Sequence, residues 1–146
     1  MIEAQQQFAT FFVGGMFFGV EVLKVQEILR YQEMTRVALA PPAIQGLINL
    51  RGQIVTAIDV RLRLRLPPRE SHVQPMNVVM RSEDGAISLL VDEIGDVIEV
   101  SDAAYEPPPT NIPPAQRTFV DGVYKLEGKL LLILNTDKTT NIELEV

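Results

Sequence analysis

GLINLRGQIVTAID, residues 46–59, is two apolar runs joined by a polar tip. Arg51-Gly52 has the chemistry of a hairpin turn, since glycine supplies the backbone freedom a tight reversal needs. The flanking runs are rich in Ile, Leu and Val, as strands of a buried sheet are. Asn49 and Arg51 are expected on the strand side of the tip, among residues that favour burial, and the run closes on the acid Asp59. A cation in such surroundings calls for an answering acid elsewhere in the chain.

The second half of the chain repeats the pattern. GVYKLEGKLLLILN, residues 122–135, aligns with it, with Gly, Leu and Gly matched at 46/122, 50/126 and 52/128. A second match precedes each hairpin. VLKVQEI (22–28) and VDEIGDV (91–97) share apolar first, fourth and seventh positions and an acid at the sixth. Two matches in the same order indicate a duplication. The expectation is two similar β units, small barrels that remove their own sheet edges. At the aligned positions the first unit carries Glu27 and Arg51, the second Asp96 and Glu127. An opposite-charge pair is thus available only in the first unit, and Glu27 is the natural partner of Arg51. The plainer reading is an exposed strand-end charge worth ~0–1 kcal/mol.

Elsewhere β signals dominate. Strand-like runs fall at Phe8–Val13, Phe17–Val22, Met76–Met80, Ala86–Val91, Val97–Val100, Phe119–Leu126 and Lys129–Leu134, besides the two runs of the opening stretch. Gly14-Gly15, Asp84-Gly85 and Glu127-Gly128 are further turns. The prolines cluster at Pro41-Pro42, Pro67-Pro68, Pro107-Pro108-Pro109 and Pro113-Pro114 and mark connections, because proline cannot donate to a ladder. Short helices are expected around Val22–Ile28, after Asp59, and from Asn135-Thr136-Asp137.

Composition narrows the function. A chain of 146 residues with 47% hydrophobic and 22% charged residues can bury a core, and its net charge of −6 argues against binding a phosphate backbone. Having no cysteine, it can use neither disulfides nor thiolate chemistry. The apolar stretch Phe8–Val20 is 13 residues long, is preceded by Glu3 and no basic residue, and is split by two glycines. It is too short for a membrane helix and reads as a core hairpin of a cytoplasmic protein. The single histidine, His72, lies in a polar Pro-flanked connection, so a nucleophile–histidine arrangement has no base. The spacing of Asp92, Glu93 and Asp96 has no glycine-containing calcium-loop pattern, and they read as a solvated turn. The basic run RLRLRLPPR, Arg61 to Arg69, reads as a solvated face or partner contact, since no aromatic residue or second basic patch accompanies it.

Taken together, VLKVQEILRYQEMTRV, APPAIQGLINLRGQIVTAIDVRLRL and LLVDEIGDVIEV closely resemble the CheW-like chemotaxis coupling proteins, from about Phe8 to about Asn141. Thr56 stands where the family commonly has proline, and Asn135-Thr136-Asp137 departs from its usual pattern after the last strand. The resemblance implies an all-β fold: two five-stranded β-barrel subdomains on a shared core, with a few short helices. The whole chain, 1–146, would then be a single domain, with approximate halves 8–66 and 75–141 and exchange of strands between them allowed.

The implied function is a non-enzymatic adaptor with no cofactor, metal or catalytic residue. Its implied partners are chemoreceptor cytoplasmic helical hairpin tips and the CheW-like regulatory domain of the chemotaxis histidine kinase. It would be a monomer in isolation, cytoplasmic, recruited to membrane-associated receptor arrays without inserting in the membrane, and would bind no nucleic acid. Carried over by position, Val25, Gly46, Ile94 and Val97 would line the receptor groove, and Glu27 with Arg51 would form a polar pair at its rim. The alternatives are a scaffold of the same type for surface motility or biofilm control, and a small β-barrel ligand carrier or enzyme.

Overall fold

The opening stretch forms a hairpin of β4 (Ile44–Leu50) and β5 (Gln53–Asp59), with Leu50 opposite Gln53 across a two-residue tip. Its repeat forms β10 (Val120–Leu126) and β11 (Lys129–Leu134), with Leu126 opposite Lys129. The correspondence holds residue by residue. In the first hairpin the register shifts between Ile44↔Ile58 and Gly46↔Ala57, in the second between Val120↔Leu134 and Gly122↔Ile133. The Asp59 amide donates to Ala43 O at 2.8 Å, and the Asn135 amide to Phe119 O at 2.7 Å. Each of these polar residues then caps a short helix, Asp59 for α1 (Val60–Arg63) and Asn135 for α3 (Thr136–Thr140).

The computed structural model describes residues 5–83 and 85–142. Asp84 of the Asp84-Gly85 turn lies outside them. The remaining elements are β1 (Gln5–Val13), β2 (Met16–Glu21), β3 (Val25–Leu29), β6 (Met76–Ser82), β7 (Gly85–Val91), β8 (Glu93–Ser101), β9 (Tyr105–Glu106), α2 (Pro114–Arg117) and 3-10 turns at Val22–Lys24 and Asp102–Ala104. All nine expected strands are present. The expected helix at Val22–Ile28 is instead a 3-10 turn over Val22–Lys24 that runs directly into β3. Apolar residues three apart imitate a helical face. Here they lie across a turn and a bulged strand, with the register shifting between Val25 and Glu27.

The strands form a sheet of order β3-β6-β7-β5-β4 and a sheet of order β8-β1-β2-β11-β10-β9. Each sheet draws its middle hairpin from the other repeat: β6-β7 lie between β3 and β5, and β1-β2 between β8 and β11. The exchange is made by two parallel pairings, Thr56↔Ile87 in one sheet and Leu132↔Phe18 in the other, and by two antiparallel ones, β3 with β6 and β1 with β8. The fold is therefore mostly β, in two related sheets with few short helices. "Barrel" describes it loosely, because the ladders end at β3 and β4 in one sheet and at β8 and β9 in the other. Phe11, Val13 and Phe18 from one sheet, with Val78, Leu89 and Val91 from the other, share a single buried cluster. Burial of that continuous apolar surface is what holds the two units together.

Candidate functional site: the seam of the first sheet and its counterpart

The tip of the β4-β5 hairpin reaches back to the opposite edge of its own sheet. The Arg51 guanidinium donates to the Glu27 carboxylate on β3, and beside it Gln26 Nε2 donates to Gln53 Oε1 at 3.3 Å. Two side-chain pairs thus bridge an edge that no backbone ladder closes. Arg51 is not on the strand, as its apolar neighbours suggest. It is the first residue of the turn, in left-handed backbone geometry (φ 50°) followed by Gly52 (φ 88°), the combination that suits the twist of a two-residue hairpin. Asn49 has a local task, accepting the Gly52 amide at 2.9 Å. The Arg51 side chain is 72% exposed and that of Glu27 21%, so the pair lies at the surface with its acid half-sheltered.

In the counterpart unit, Asp96 and Glu127 are both exposed acids. No staple of this kind can form there. Val25 and Ile94 occupy equivalent edge positions: Val25 lies opposite Met80, Ile94 opposite Phe11, and both pack partly buried against the shared core. Val97, opposite Ala9 on β8, is 57% exposed. Gly46 lies apart from this group. It is buried under the connection that follows β3, where Thr35 bridges to Leu47 through two backbone hydrogen bonds of 2.8 Å. A Cβ at Gly46 would stand 2.7 Å from Thr35 O, so the close approach that this glycine permits is already taken by the chain itself.

A second polar cluster was not legible beforehand. Asp92 is the single residue between β7 and β8, where the chain passes from one sheet to the other. Its carboxylate accepts Arg61 Nε at 2.9 and 3.2 Å, Arg69 Nε at 2.8 Å and the Gly14 amide at 2.8 Å. Arg69 also grips Asp59 through Nη1 (3.1 Å) and Nη2 (3.2 Å), and the Arg69 and Asp59 side chains are only 9% and 7% exposed. Burial pushes the Asp92 carboxyl up. The hydrogen bonds from Arg61, Gly14 and Arg69 outweigh that effect and hold it below the ordinary carboxylate value.

Arg63 is occupied as well, donating to the carbonyls of Lys138, Thr139 and Asn141 while its guanidinium lies 5.0 Å from the Phe119 ring centre. Within Arg61–Arg69 the solvated-face reading is thus corrected for Arg61, Arg63 and Arg69, while Arg65 is exposed, and the reading of Asp92 as part of a solvated turn is corrected as well. These arginines look free in sequence because the acids that neutralise them come from other elements. The only cue was that Asp59 and Asp92 each end an apolar run. His72 is exposed on its connection, beside Glu70 at 3.4 Å.

These features define a class: a two-sheet β module whose polar groups bind its own strands together, with exposed apolar and charged positions along matching edge strands. No helix among the described residues is long and apolar enough to cross a membrane. The CheW-like domain family matches residues 7–143, and the chain belongs to that family. It is 30% identical over 142 residues to a chemotaxis protein CheW of Bacillus subtilis (strain 168), covering 97% of this chain and 91% of that one. It is likewise 30% identical over 132 residues to a chemotaxis protein CheW of Rhizobium meliloti (strain 1021), covering 90% and 85%. The crystal structure of the scaffolding protein TtCheW from Thermoanaerobacter tengcongensis superposes with a TM-score of 0.80 at 25% identity, covering 90% and 89% of the two chains.

Proposed function

We propose that this chain is an adaptor that couples chemoreceptors to the chemotaxis histidine kinase. The observation that carries the reading is the CheW-like match across residues 7–143, on a fold shared with a scaffolding protein. The relatives are chemotaxis proteins, which does not favour a motility or biofilm scaffold, an enzyme or a ligand carrier. Function here is recognition without chemistry.

The finer reading assigns faces. A receptor tip, as a helical hairpin, lays one helix along the edge strands, with Val25, Ile94 and Val97 supplying apolar contact. Glu27 and Arg51 mark the rim. Gly46, on β4 and apart from these edge strands, acts indirectly by seating the Thr35 segment against its own strand. The kinase's CheW-like domain takes a different surface at the sheet ends, so the contact is heterologous and can close into rings of alternating adaptor and kinase domains. The isolated protein is a monomer, and it is carried from the cytoplasm to membrane-associated arrays by its partners.

Reconstitution tests the reading. Receptor-containing membranes, kinase and this protein together should give receptor-dependent kinase stimulation, and the protein alone should take no phosphate from ATP or, on His72, from the kinase. Equal stimulation without the protein would overturn the proposal.

A further inference from the structure

We propose that Asp92, Arg61, Arg69 and Asp59 form a one-sided clamp that sets the mutual orientation of the two sheets, leaving the opposite crossover, Val22–Lys24, as the compliant side. The chain passes between sheets at two places equivalent by the repeat, and the two are built differently. At the β7-β8 crossover the Asp92 carboxylate ties together the β1-β2 turn through Gly14, α1 through Arg61 and the proline-rich connection through Arg69. The Asp92 amide adds a bond to Phe12 O at 2.9 Å. At the β2-β3 crossover the residue aligned with Asp92 is Leu23, 85% exposed, and the 3-10 turn buries none of its residues. That turn is held by Val22, partly buried against the shared core, by an exposed Glu21–Lys24 contact at 3.9 Å and by Arg81 Nη1 on the carbonyls of Leu23 and Val25. The residue aligned with Asp59 is Asn135 and that aligned with Arg61 is Asp137, so these positions offer an amide and an acid where the clamp has an acid and a cation.

The asymmetry matters because the shared core, by its nearly non-directional apolar contacts, constrains the angle between the sheets less sharply than directed bonds do. Charge-assisted hydrogen bonds to a planar guanidinium have a fixed geometry and are lost by small rotations. A clamp at one crossover therefore defines a pivot.

Spin labels measure this directly, because the chain has no cysteine. Labels at Ser82→Cys on β6 and Glu127→Cys on the β10-β11 tip report the separation of the two sheets in the isolated protein. The intact clamp should give one narrow distance distribution. Asp92→Asn should at least double its width. The charge-balanced pair Asp59→Asn with Arg69→Met, which keeps Arg61–Asp92 and can keep the helix cap, should broaden it less. Glu21→Gln at the other crossover should leave it unchanged. The clamp is overturned by unchanged widths in clamp variants whose circular dichroism stays native, or by equal broadening from Glu21→Gln. It is also overturned if both clamp variants unfold, since the sheets would then be one body without a pivot. None of these readouts involves receptor or kinase, so the clamp and the adaptor function stand or fall separately.

Discussion

Arg51 and Arg69 are both paired with acids, and exposure decides how differently they behave. With most of its side chain in water, Arg51 gains little net energy from Glu27, because surface ion pairs are screened and lose side-chain entropy. Arg51→Ala should cost no more than ~1 kcal/mol in chemical denaturation, yet weaken receptor-dependent kinase activation. Arg51→Glu should do more damage, since it places two acids at the seam, as in the second unit. Reversal of both residues should recover melting without recovering activation, and a double-mutant cycle separates the two effects. Unfolding of Arg51→Ala would make the arginine a core element and overturn its role at the rim. The buried cluster should behave in the opposite way. Asp92→Asn leaves Arg61 without its carboxylate while Arg69 keeps Asp59, and should cost about 1.5–3 kcal/mol, the range for hydrogen bonds to charged groups. The sign with pH follows from a folded pKa below the unfolded one. Asp92 contributes its full stabilisation above its unfolded pKa of ~3.9 and loses it as pH falls through the lower folded value. The native protein should therefore lose stability as pH drops below about 4, and Asp92→Asn should show a shallower acid limb in urea titrations at stepped pH.

At the scale of elements, the two aligned glycines provide a matched test. A Cβ at Gly46 meets the Thr35 carbonyl, which is fixed by its own backbone bridge, whereas a Cβ at Gly122 would fall on the Tyr105 ring, on an exposed residue that can rotate away. Gly46→Ala should thus destabilise by about 1–3 kcal/mol and speed amide exchange at Thr35 and Leu47. Gly122→Ala should cost less than Gly46→Ala, with a change in the near-ultraviolet signal of Tyr105 and Tyr124, whose ring centres are 5.2 Å apart. If the order of the two costs were reversed, the tight spot would be the ring and not the carbonyl. This contrast also marks what could be read in advance. The hairpins were legible because turn chemistry and apolar runs are local, and the duplication made Glu27 and Arg51 a pair before any geometry was known. β3 was misread because its apolar spacing of three, taken without the bulge at Gln26, has the period of a helix. Arg61, Arg63 and Arg69 escape a local reading because Asp92 and the backbone acceptors around residue 139 are distant in sequence, and because nothing local shows that Arg69 folds back onto Asp59.

At the scale of the whole molecule, strand exchange makes a demand that neither half can meet alone. Residues up to Ser71 contain β1 to β5, but in the intact protein β1 pairs with β8 as well as β2, β2 pairs with β11, and β3 pairs with β6. The β4-β5 hairpin likewise depends on β7 for its inner edge. A fragment ending at Ser71 thus holds two hairpins and a single strand, each exposing an apolar face, and isolated hairpins are marginal in water. The complementary fragment from His72 has the same deficit. Cutting there keeps Arg61 and Arg69 with Asp59 but separates them from Asp92, so the clamp too must form between fragments. Each fragment alone should show a largely unfolded far-ultraviolet spectrum and no cooperative melt. Mixed in equal amounts they should regain the β spectrum and melt in one transition whose midpoint rises with concentration, because folding has become association. If the first fragment folds on its own into a stable five-stranded unit, β1-β2 can fill the place of β6-β7. The exchange would then be a choice between two available pairings, not a requirement of the fold.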